Sequence, residues 1–118
     1  MYGTIMRAKI KKDCLRQFYA LGKEWDAFHR KRAVGYITSE LLWEDREAGR
    51  LCMVVHFTNK EQYLKNAGSP EQHQFYLRMR ECFDDEPQWI DGYIDRWDSF
   101  YAHPPAFVTE DPEAKKPA

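Results

Sequence analysis

The sequence lacks any long hydrophobic run. Its longest apolar stretch is Leu51 to Val55, much shorter than the roughly 20 residues that a membrane-spanning helix needs, and the mean hydropathy is −0.77. The first residues, Met1 to Arg7, also lack the apolar segment that follows a basic start in a secretory signal. We therefore expect no membrane contact and a cytoplasmic location.

An excess of either charge is missing as well. Lys and Arg together number 18 and Asp and Glu 19, which gives a formal net charge of −1. The chain therefore has no global field that would recruit nucleic acid. The basic cluster His29 to Arg32 is assigned to the last turn of a helix, where positive charge complements the helix dipole. We expect no nucleic-acid partner.

Signatures of metal, nucleotide and disulfide chemistry are also scarce. The sequence has no Gly-rich phosphate loop and no nucleophile elbow. The three cysteines form no CxxC pair, which indicates reduced thiols. Four histidines do not pair at the spacing of zinc ligands; they are His29, His56, His73 and His103. The sequence therefore predicts neither a metal site nor a cofactor.

Aromatic residues, by contrast, are abundant. The chain has 7 Phe, 7 Tyr and 4 Trp, which make up 15% of 118 residues. That much ring surface in a small chain indicates a large interface, an aromatic-lined pocket, or both.

The hydrophobic pattern predicts six elements in the order β-α-β-β-α-β. Strands are predicted over 2–11, 35–44, 50–57 and 88–101. Asp13 is the predicted N-cap of the first helix, which stops at Gly35; capping boxes at 58–61 and 69–72 open two parts of the second helix, interrupted at Gly68. This order is the ferredoxin-like, or split βαβ, arrangement of the α+β class. We predict one domain over 1–101 and a proline-rich, disordered tail over 102–118.

Both faces of the predicted sheet are apolar. Ile37, Leu41 and Trp43 share one face, whereas Tyr36 and Leu42 lie on the other. Two helices on one face leave the second face uncovered. We therefore expect a homodimer in which two sheets pack face to face around a twofold axis. The helix interruption at Gly68 is also compatible with a cavity between helices and sheet.

One long stretch carries a family resemblance. Residues 54–63, Val-Val-His-Phe-Thr-Asn-Lys-Glu-Gln-Tyr, are followed by Ala67-Gly68-Ser69-Pro70 and a helix with His73 and Phe75. A strand ending in an aromatic residue, a short capped helix, then a small residue with Ser-Pro, resembles the antibiotic biosynthesis monooxygenase family of the dimeric α/β-barrel superfamily. The match in element order covers about residues 2–101.

The resemblance implies three activities. The first is cofactor-independent oxygenation of a polyaromatic quinol or anthrone, in which the carbanion of the substrate reduces dioxygen. The second is small-molecule binding or a structural role, without catalysis. The third, a minor alternative, is haem binding or degradation. The related haem enzymes have an Asn, a Trp and a His where this chain has Met6 or Arg7, Asn66 and Tyr76, although a shifted alignment would offer His73 as a ligand.

The oxygenase hypothesis needs a base and hydrogen-bond donors beside an aromatic ligand. We assign His73 as the candidate base, and Tyr76 and Asn66 as candidates that hold the substrate oxygen. Arg7 or His56 are candidates for binding the ligand as an enolate. Each has a structural alternative: His73 on the solvated side of its helix, Tyr76 in the core, Asn66 at a fraying helix end, and His56 at the dimer seam.

Overall fold

Four antiparallel strands form one sheet, and a computed structural model describes residues 1–109 of the chain. The strands are β1 (Tyr2–Lys9), β2 (Tyr36–Asp45), β3 (Arg50–Phe57) and β4 (Gln88–Tyr93). Their order in the sheet is β2-β3-β1-β4. The helices are α1 (Leu15–Glu24), α2 (Lys60–Ala67), α3 (Pro70–Arg80), α4 (Trp97–Ala102) and α5 (Ala106–Thr109). The predicted ferredoxin-like α+β fold is confirmed for the single chain.

The core lies between one face of the sheet and the helices. Met6 of β1 is paired with Met53 of β3, and Ala8 with Leu51, so alternate residues of the two strands point to the same side. There they meet Leu21 of α1 and buried residues from the α3 region, which are Phe75, Met79, Cys82 and Phe83. Burial raises the pKa of the Cys82 thiol.

Local capping fixes where α2 and α3 begin. The Ser69 hydroxyl accepts a hydrogen bond from the Gln72 backbone N–H at 3.2 Å, as the second predicted capping box requires. The first box is shifted by one residue: Asn59 caps α2 by accepting from the Gln62 N–H at 2.9 Å. Thr58 instead donates its hydroxyl to the Gly35 carbonyl at 3.0 Å.

The first helical segment is not one continuous α-helix. A 3-10 turn, Lys12–Cys14, precedes α1, and Asp13 lies within it rather than capping the helix. After Glu24 the chain forms a π-helical turn, Trp25–His29, and a 3-10 turn, Arg30–Arg32. The wider π turn brings His29 Nε2 to 3.2 Å from the Glu24 carboxylate, five residues earlier. Short π segments are rare and occur frequently at functional sites.

The prediction of a strand over 88–101 is wrong beyond Tyr93. Tyr93 is paired with Tyr2, the first residue of β1, and the Ile94 N–H reaches the Met1 carbonyl at 2.9 Å. Beyond Ile94, β1 has no further residue with which the chain could pair. The backbone therefore forms local hydrogen bonds instead, in α4. In the predicted tail, 106–109 form α5; residues 110–118 lie outside the described part, and the domain boundary stays a prediction.

The sheet face away from the helices, called the open face here, carries apolar side chains. Ile5, Leu42 and Ile90 are 37%, 59% and 68% exposed. The prediction that Tyr36 shares this face with Leu42 is wrong. A bulge between Tyr36 and Thr38 returns Tyr36 to the helix side, where its ring lies 5.7 Å from that of Phe57.

No helix within residues 1–109 is long and apolar enough to cross a membrane. Within the same residues, His, Cys, Asp and Glu side chains form no group of three that could hold a metal ion.

Tyr63 ties α2 to the sheet and should make the fold sensitive to alkali. Its hydroxyl donates to the Asp91 carboxylate at 3.0 Å, and burial raises the pKa of Tyr63 to about 12 from 10.0. The folded chain therefore retains a proton that the unfolded chain loses between these pH values. We expect the free energy of unfolding to fall by about 1–2 kcal/mol as the pH rises from 10 to 12.

Urea titrations at several alkaline pH values measure this loss. Tyr63→Phe should be less stable at neutral pH, because the hydrogen bond is gone, but should lack this part of the alkaline decline. An identical decline in both proteins would contradict the assignment.

Candidate functional site

A cavity of about 780 Å³ lies between α1 with its π turn and the strands β2 and β3. Its inner end is closed by Phe75 and Met79 of α3. Seven aromatic rings line it: Phe18, Tyr19, Trp25, Tyr36, Trp43, Phe57 and Phe75. The volume and the apolar, aromatic wall are those of a small-molecule site.

The sequence builds this wall from two periodicities. On α1 and the π turn, Phe18, Gly22 and Trp25 follow at spacings of four and three and face the sheet. On β2, Leu41 and Trp43 alternate with outward residues, and Met53 and Val55 do the same on β3. Gly22 contributes no side chain, and a Cβ placed there would meet no atom within 4 Å. The cavity therefore owes part of its volume to this glycine.

Two amide side chains, Asn66 and Gln72, supply polar groups on the wall. Both also line a smaller neighbouring pocket of about 110 Å³, so they lie close together near the ends of α2 and α3. The indole N–H of Trp25 points at Gln72 Oε1 from 3.5 Å. Because an indole nitrogen only donates, this contact turns the oxygen of Gln72 toward Trp25 and leaves its NH₂ group free to donate to a ligand.

Charged side chains on the cavity wall are solvated. Arg30 forms an ion pair with Asp26 at 2.9 Å, and the two side chains are 51% and 67% exposed. The Arg30 guanidinium also lies over the Tyr36 ring at 5.5 Å, and the Lys23 ammonium over the Tyr19 ring at 5.8 Å. These contacts place the charges at the rim of the cavity, around an apolar interior.

Of the five candidate residues predicted from the sequence, Asn66 is the one that lies on the cavity wall. His73 follows Gln72 on α3 but is exposed and lies outside the wall. Tyr76 is half-buried, with its ring 5.6 Å from that of Trp89 on β4. The structure therefore does not bring His73 and Tyr76 together with Asn66 around the cavity.

Arg7 and His56 lie on the open face, across the sheet from the cavity. Arg7 forms two hydrogen bonds to the Glu44 carboxylate, at 2.6 and 2.7 Å, which hold the pKa of Glu44 below its ordinary value. The Cys52 thiol lies 3.4 Å from the same carboxylate, and burial, followed by this contact, raises the pKa of Cys52.

His56 is the least exposed of these polar groups. Its side chain is 12% exposed, and Nε2 lies 3.2 Å from Glu40 Oε1, in an orientation that does not make a hydrogen bond. Among the described residues, this nearly buried ring nitrogen therefore has no hydrogen-bond partner, and His56 lies on the opposite side of the sheet from the cavity.

Sequence reasoning missed most of the wall. The spacing of Phe18 and Trp25 is that of the apolar face of an amphipathic helix, and Trp43 lies on one face of the predicted sheet, so the sequence predicts a packing role for all three. Gln72 is predicted as the last residue of the capping box 69–72 and not as a ligand contact. One signal was available: Gly22 interrupts the apolar stripe of α1, and a gap in a core-facing stripe indicates missing packing.

Comparison with known proteins adds evidence on the fold. No protein-family model matches the sequence, and no curated protein matches it. Among solved structures, SnoaB, a cofactor-independent oxygenase from Streptomyces nogalater, superimposes with a TM-score of 0.66 at 13% identity, covering 80% of this chain and 93% of that chain.

Two further structures bear names that place them among the antibiotic biosynthesis monooxygenases. The Caulobacter crescentus protein has a TM-score of 0.68 at 12% identity and covers 80% of this chain and 90% of its own. The Bordetella bronchiseptica protein has a TM-score of 0.65 at 17% identity and covers 80% of this chain and 97% of its own. At these identities the likeness establishes the fold alone. The resemblance found in the sequence is confirmed at that level: the chain has the fold of the antibiotic biosynthesis monooxygenases.

Proposed function

We propose that this chain binds a planar aromatic small molecule in the cavity, as one subunit of a homodimer, and oxygenates it without a cofactor. The observation that carries the proposal is the aromatic wall of a cavity of about 780 Å³ with two amides, Asn66 and Gln72, beside one another. A flat polycyclic ring fits between such walls by stacking and edge contacts.

In the proposed reaction the substrate itself supplies the electrons for dioxygen, and the protein has only to position it and to stabilise the oxyanion. An anthrone loses a proton to solvent water to give an enolate, and the enolate carbon transfers electrons to dioxygen, forms a C–O bond and takes up a proton as a hydroperoxide. Cleavage of the O–O bond with loss of the remaining C–H proton then gives an anthraquinone and one water molecule, so that one anthrone and one dioxygen are consumed. The NH₂ groups of Gln72 and Asn66 donate to the developing oxyanion and so favour loss of the proton. The likeness in fold to a protein named as a cofactor-independent oxygenase supports this choice of reaction.

Removing an amide donor should slow oxygen uptake. With anthrone as substrate, we expect Gln72→Leu to lower the rate by about 10²-fold, since one oxyanion donor contributes 10²–10³ in typical enzymes. An oxygen electrode measures the rate. His73→Ala is the matched control on the same helix, and we expect it to change the rate less than about twofold, because His73 is exposed and outside the wall.

The opposite pattern would reverse the assignment. If His73→Ala abolished oxygen uptake and Gln72→Leu did not change it, His73 would be the base that the sequence predicts, and the amides would be structural. In either case we expect Tyr76→Phe to change the rate of oxygen uptake in the same direction as His73→Ala.

The second candidate function is binding without catalysis. It is favoured by the titratable groups of the wall: the described wall holds no histidine, and its carboxylate, Asp26, is exposed and paired with Arg30. Binding of anthraquinone-2-sulfonate, followed by quenching of tryptophan fluorescence, without oxygen uptake across a panel of quinols and anthrones would select this function. Haem remains the minor alternative, and a saturable haem titration would favour it.

The homodimer is supported by the open face. Exposed apolar residues there, Ile5, Leu42 and Ile90, belong to three strands and line one side of the sheet, and a patch of this kind is typical of an interface. Light scattering should give twice the 14.1 kDa of one chain. Ile90→Lys should weaken the dimer by about 3 kcal/mol or more, because the ammonium would be buried without a partner.

Leu77→Lys is the matched control for this prediction. Leu77 is 41% exposed on α3, on the other side of the sheet, so a lysine there remains solvated and the dimer should persist. A monomeric wild-type chain, or equal effects of the two lysines, would refute the face-to-face dimer.

A further inference from the structure

The last described part of the chain, residues 95–109, is called the C-terminal arm here. Among the described residues, its hydrogen bonds are internal, such as Phe100 N–H to Arg96 O and His103 N–H to Ser99 O, both at 2.7 Å. The principal dimensions of the molecule are 65 × 32 × 23 Å. The ten residues of β2 span only about 33 Å. The arm therefore extends away from the body of its own chain.

The surface of the arm is aromatic and uncovered. Trp97, Tyr101 and Phe107 are 72%, 78% and 75% exposed. The Trp97 ring lies 6.1 Å from that of Phe100 and 6.0 Å from that of Tyr101, so the rings form one platform. A helix of six residues, the length of α4, is not stable alone in water, and exposed rings in contact with each other are typical of a surface that another molecule covers.

The mouth of the cavity is the matching uncovered surface. Tyr19 and Leu41, on opposite sides of the mouth, are 68% and 45% exposed, and Leu15 is 39% exposed beside them. Leu41 belongs to β2, which is the edge strand at the opposite side of the sheet from β4. The arm leaves the end of β4 and therefore starts at the edge farthest from the cavity mouth of its own chain.

In a twofold dimer, the arm of one subunit lies near the cavity mouth of the other. If two open faces pack around a twofold axis parallel to the strands, the order of the strands across the second sheet is reversed, and β4 of one subunit lies opposite β2 of its partner. Ile94, the last residue before the arm, has its side chain on the open face, with Cδ1 3.0 Å from where a Cβ on Gly3 would be, so the arm begins next to a residue that faces the proposed interface. Asp98 on the arm and Lys23 at the rim of the cavity carry opposite charges, so they would attract each other in this arrangement.

We propose that the C-terminal arm of each subunit closes the cavity of the other subunit, with Trp97 and Tyr101 as rings over its mouth. Each ligand site is then built from two chains, and neither chain alone has a complete site. This inference rests on the proposed aromatic-ligand site, and it adds the partner subunit as the source of the missing wall.

Mixing two variants tests whether the arm acts across the interface. The arm variant carries Trp97→Ala and Tyr101→Ala and keeps its cavity. The cavity variant carries Gly22→Phe, which fills the cavity, and keeps its arm. Binding of anthraquinone-2-sulfonate should be about tenfold weaker in the arm variant and lost in the cavity variant. A mixture allowed to exchange subunits should recover wild-type affinity at one site per mixed dimer.

Two results would overturn the proposal. Wild-type affinity in the arm variant would show that the arm does not contribute to the site. Weak binding that is not recovered on mixing would show that the arm acts within its own chain. Phe28→Ala, which removes an exposed ring outside both the arm and the cavity wall, is the control and should bind as the wild type does.

A measurement without ligand separates this inference from the proposed function. Benzoylphenylalanine placed at Tyr101 should, on illumination, cross-link to the other subunit within 15–23 or 39–43, as identified by mass spectrometry of isotope-labelled mixed dimers. Such cross-links would support the arm even if no aromatic ligand bound. Cross-links within one chain, or none between chains, would overturn it even if the ligand bound well.

Discussion

The Gly3→Ala variant is expected to lose most of its stability. Gly3 lies in β1, between its partners on β3 and β4, and a Cβ placed there would overlap the carbonyl oxygen of Val55. Backbone atoms of a central strand cannot move aside as a flexible side chain can. We expect a loss of about 3 kcal/mol or more, a large part of the 5–15 kcal/mol that holds a typical domain together.

Gly92→Ala is the matched control, because Gly92 is paired directly with Gly3 across β1 and β4. A Cβ there would meet no atom within 4 Å. In urea denaturation monitored by circular dichroism, we therefore expect Gly3→Ala to unfold at a much lower urea concentration than Gly92→Ala, although the two added methyl groups lie on neighbouring strands. Similar midpoints for the two variants would contradict the close approach of Gly3 to β3.

The largest effect on ligand binding is expected from Gly22→Phe. Gly22 lies inside α1 and lines the cavity, with open space where a side chain would begin. A phenyl ring would occupy the volume proposed for the ligand, so the affinity for anthraquinone-2-sulfonate should fall by at least about 100-fold, the loss of about 3 kcal/mol of contacts.

Gly22→Ala distinguishes filling the cavity from damaging the helix. A methyl group leaves most of the cavity open, and alanine favours the helix over glycine by about 0.5–1 kcal/mol. We expect this variant to bind ligand and to unfold at higher urea concentration than the wild type. Ligand binding that survived in Gly22→Phe would move the site away from this cavity.

The order of elements could be predicted because its signals are local. In Ser69-Pro70-Glu71-Gln72, a serine cap, a proline at the first helical position and a glutamine three residues after the serine specify the start of a helix in any context. The alternation in 50–57 specifies a half-buried strand in the same local way. The end of β4 could not be predicted in this way. Residues 94–101 are as aromatic as a strand, but a strand needs a hydrogen-bonded partner, and β1 begins only at Tyr2, opposite Tyr93.

The site was harder to predict than the fold. Gln72 and His73 are neighbours in the sequence, but adjacent residues of a helix point about 100° apart. A motif locates α3 in the chain without fixing its rotation relative to the sheet. That rotation, set by burial of Phe75 and Met79, places Gln72 on the wall and His73 in solvent. The bulge after Tyr36 likewise depends on the pairing of β2 with β3, and the alternation of apolar and polar residues in β2 does not indicate it.

The two thiols with raised pKa values bear on the chemical durability of the protein. Quinones are electrophiles, and the thiolate, rather than the thiol, is the form of cysteine that attacks them. Burial raises the pKa of both Cys52 and Cys82, so at neutral pH each is ionised less than a free cysteine. Under the proposed oxygenation, a quinone would form in the cavity of this chain. The raised pKa values of Cys52, on the open face, and of Cys82, in the core, would then slow the reaction of these two thiols with it.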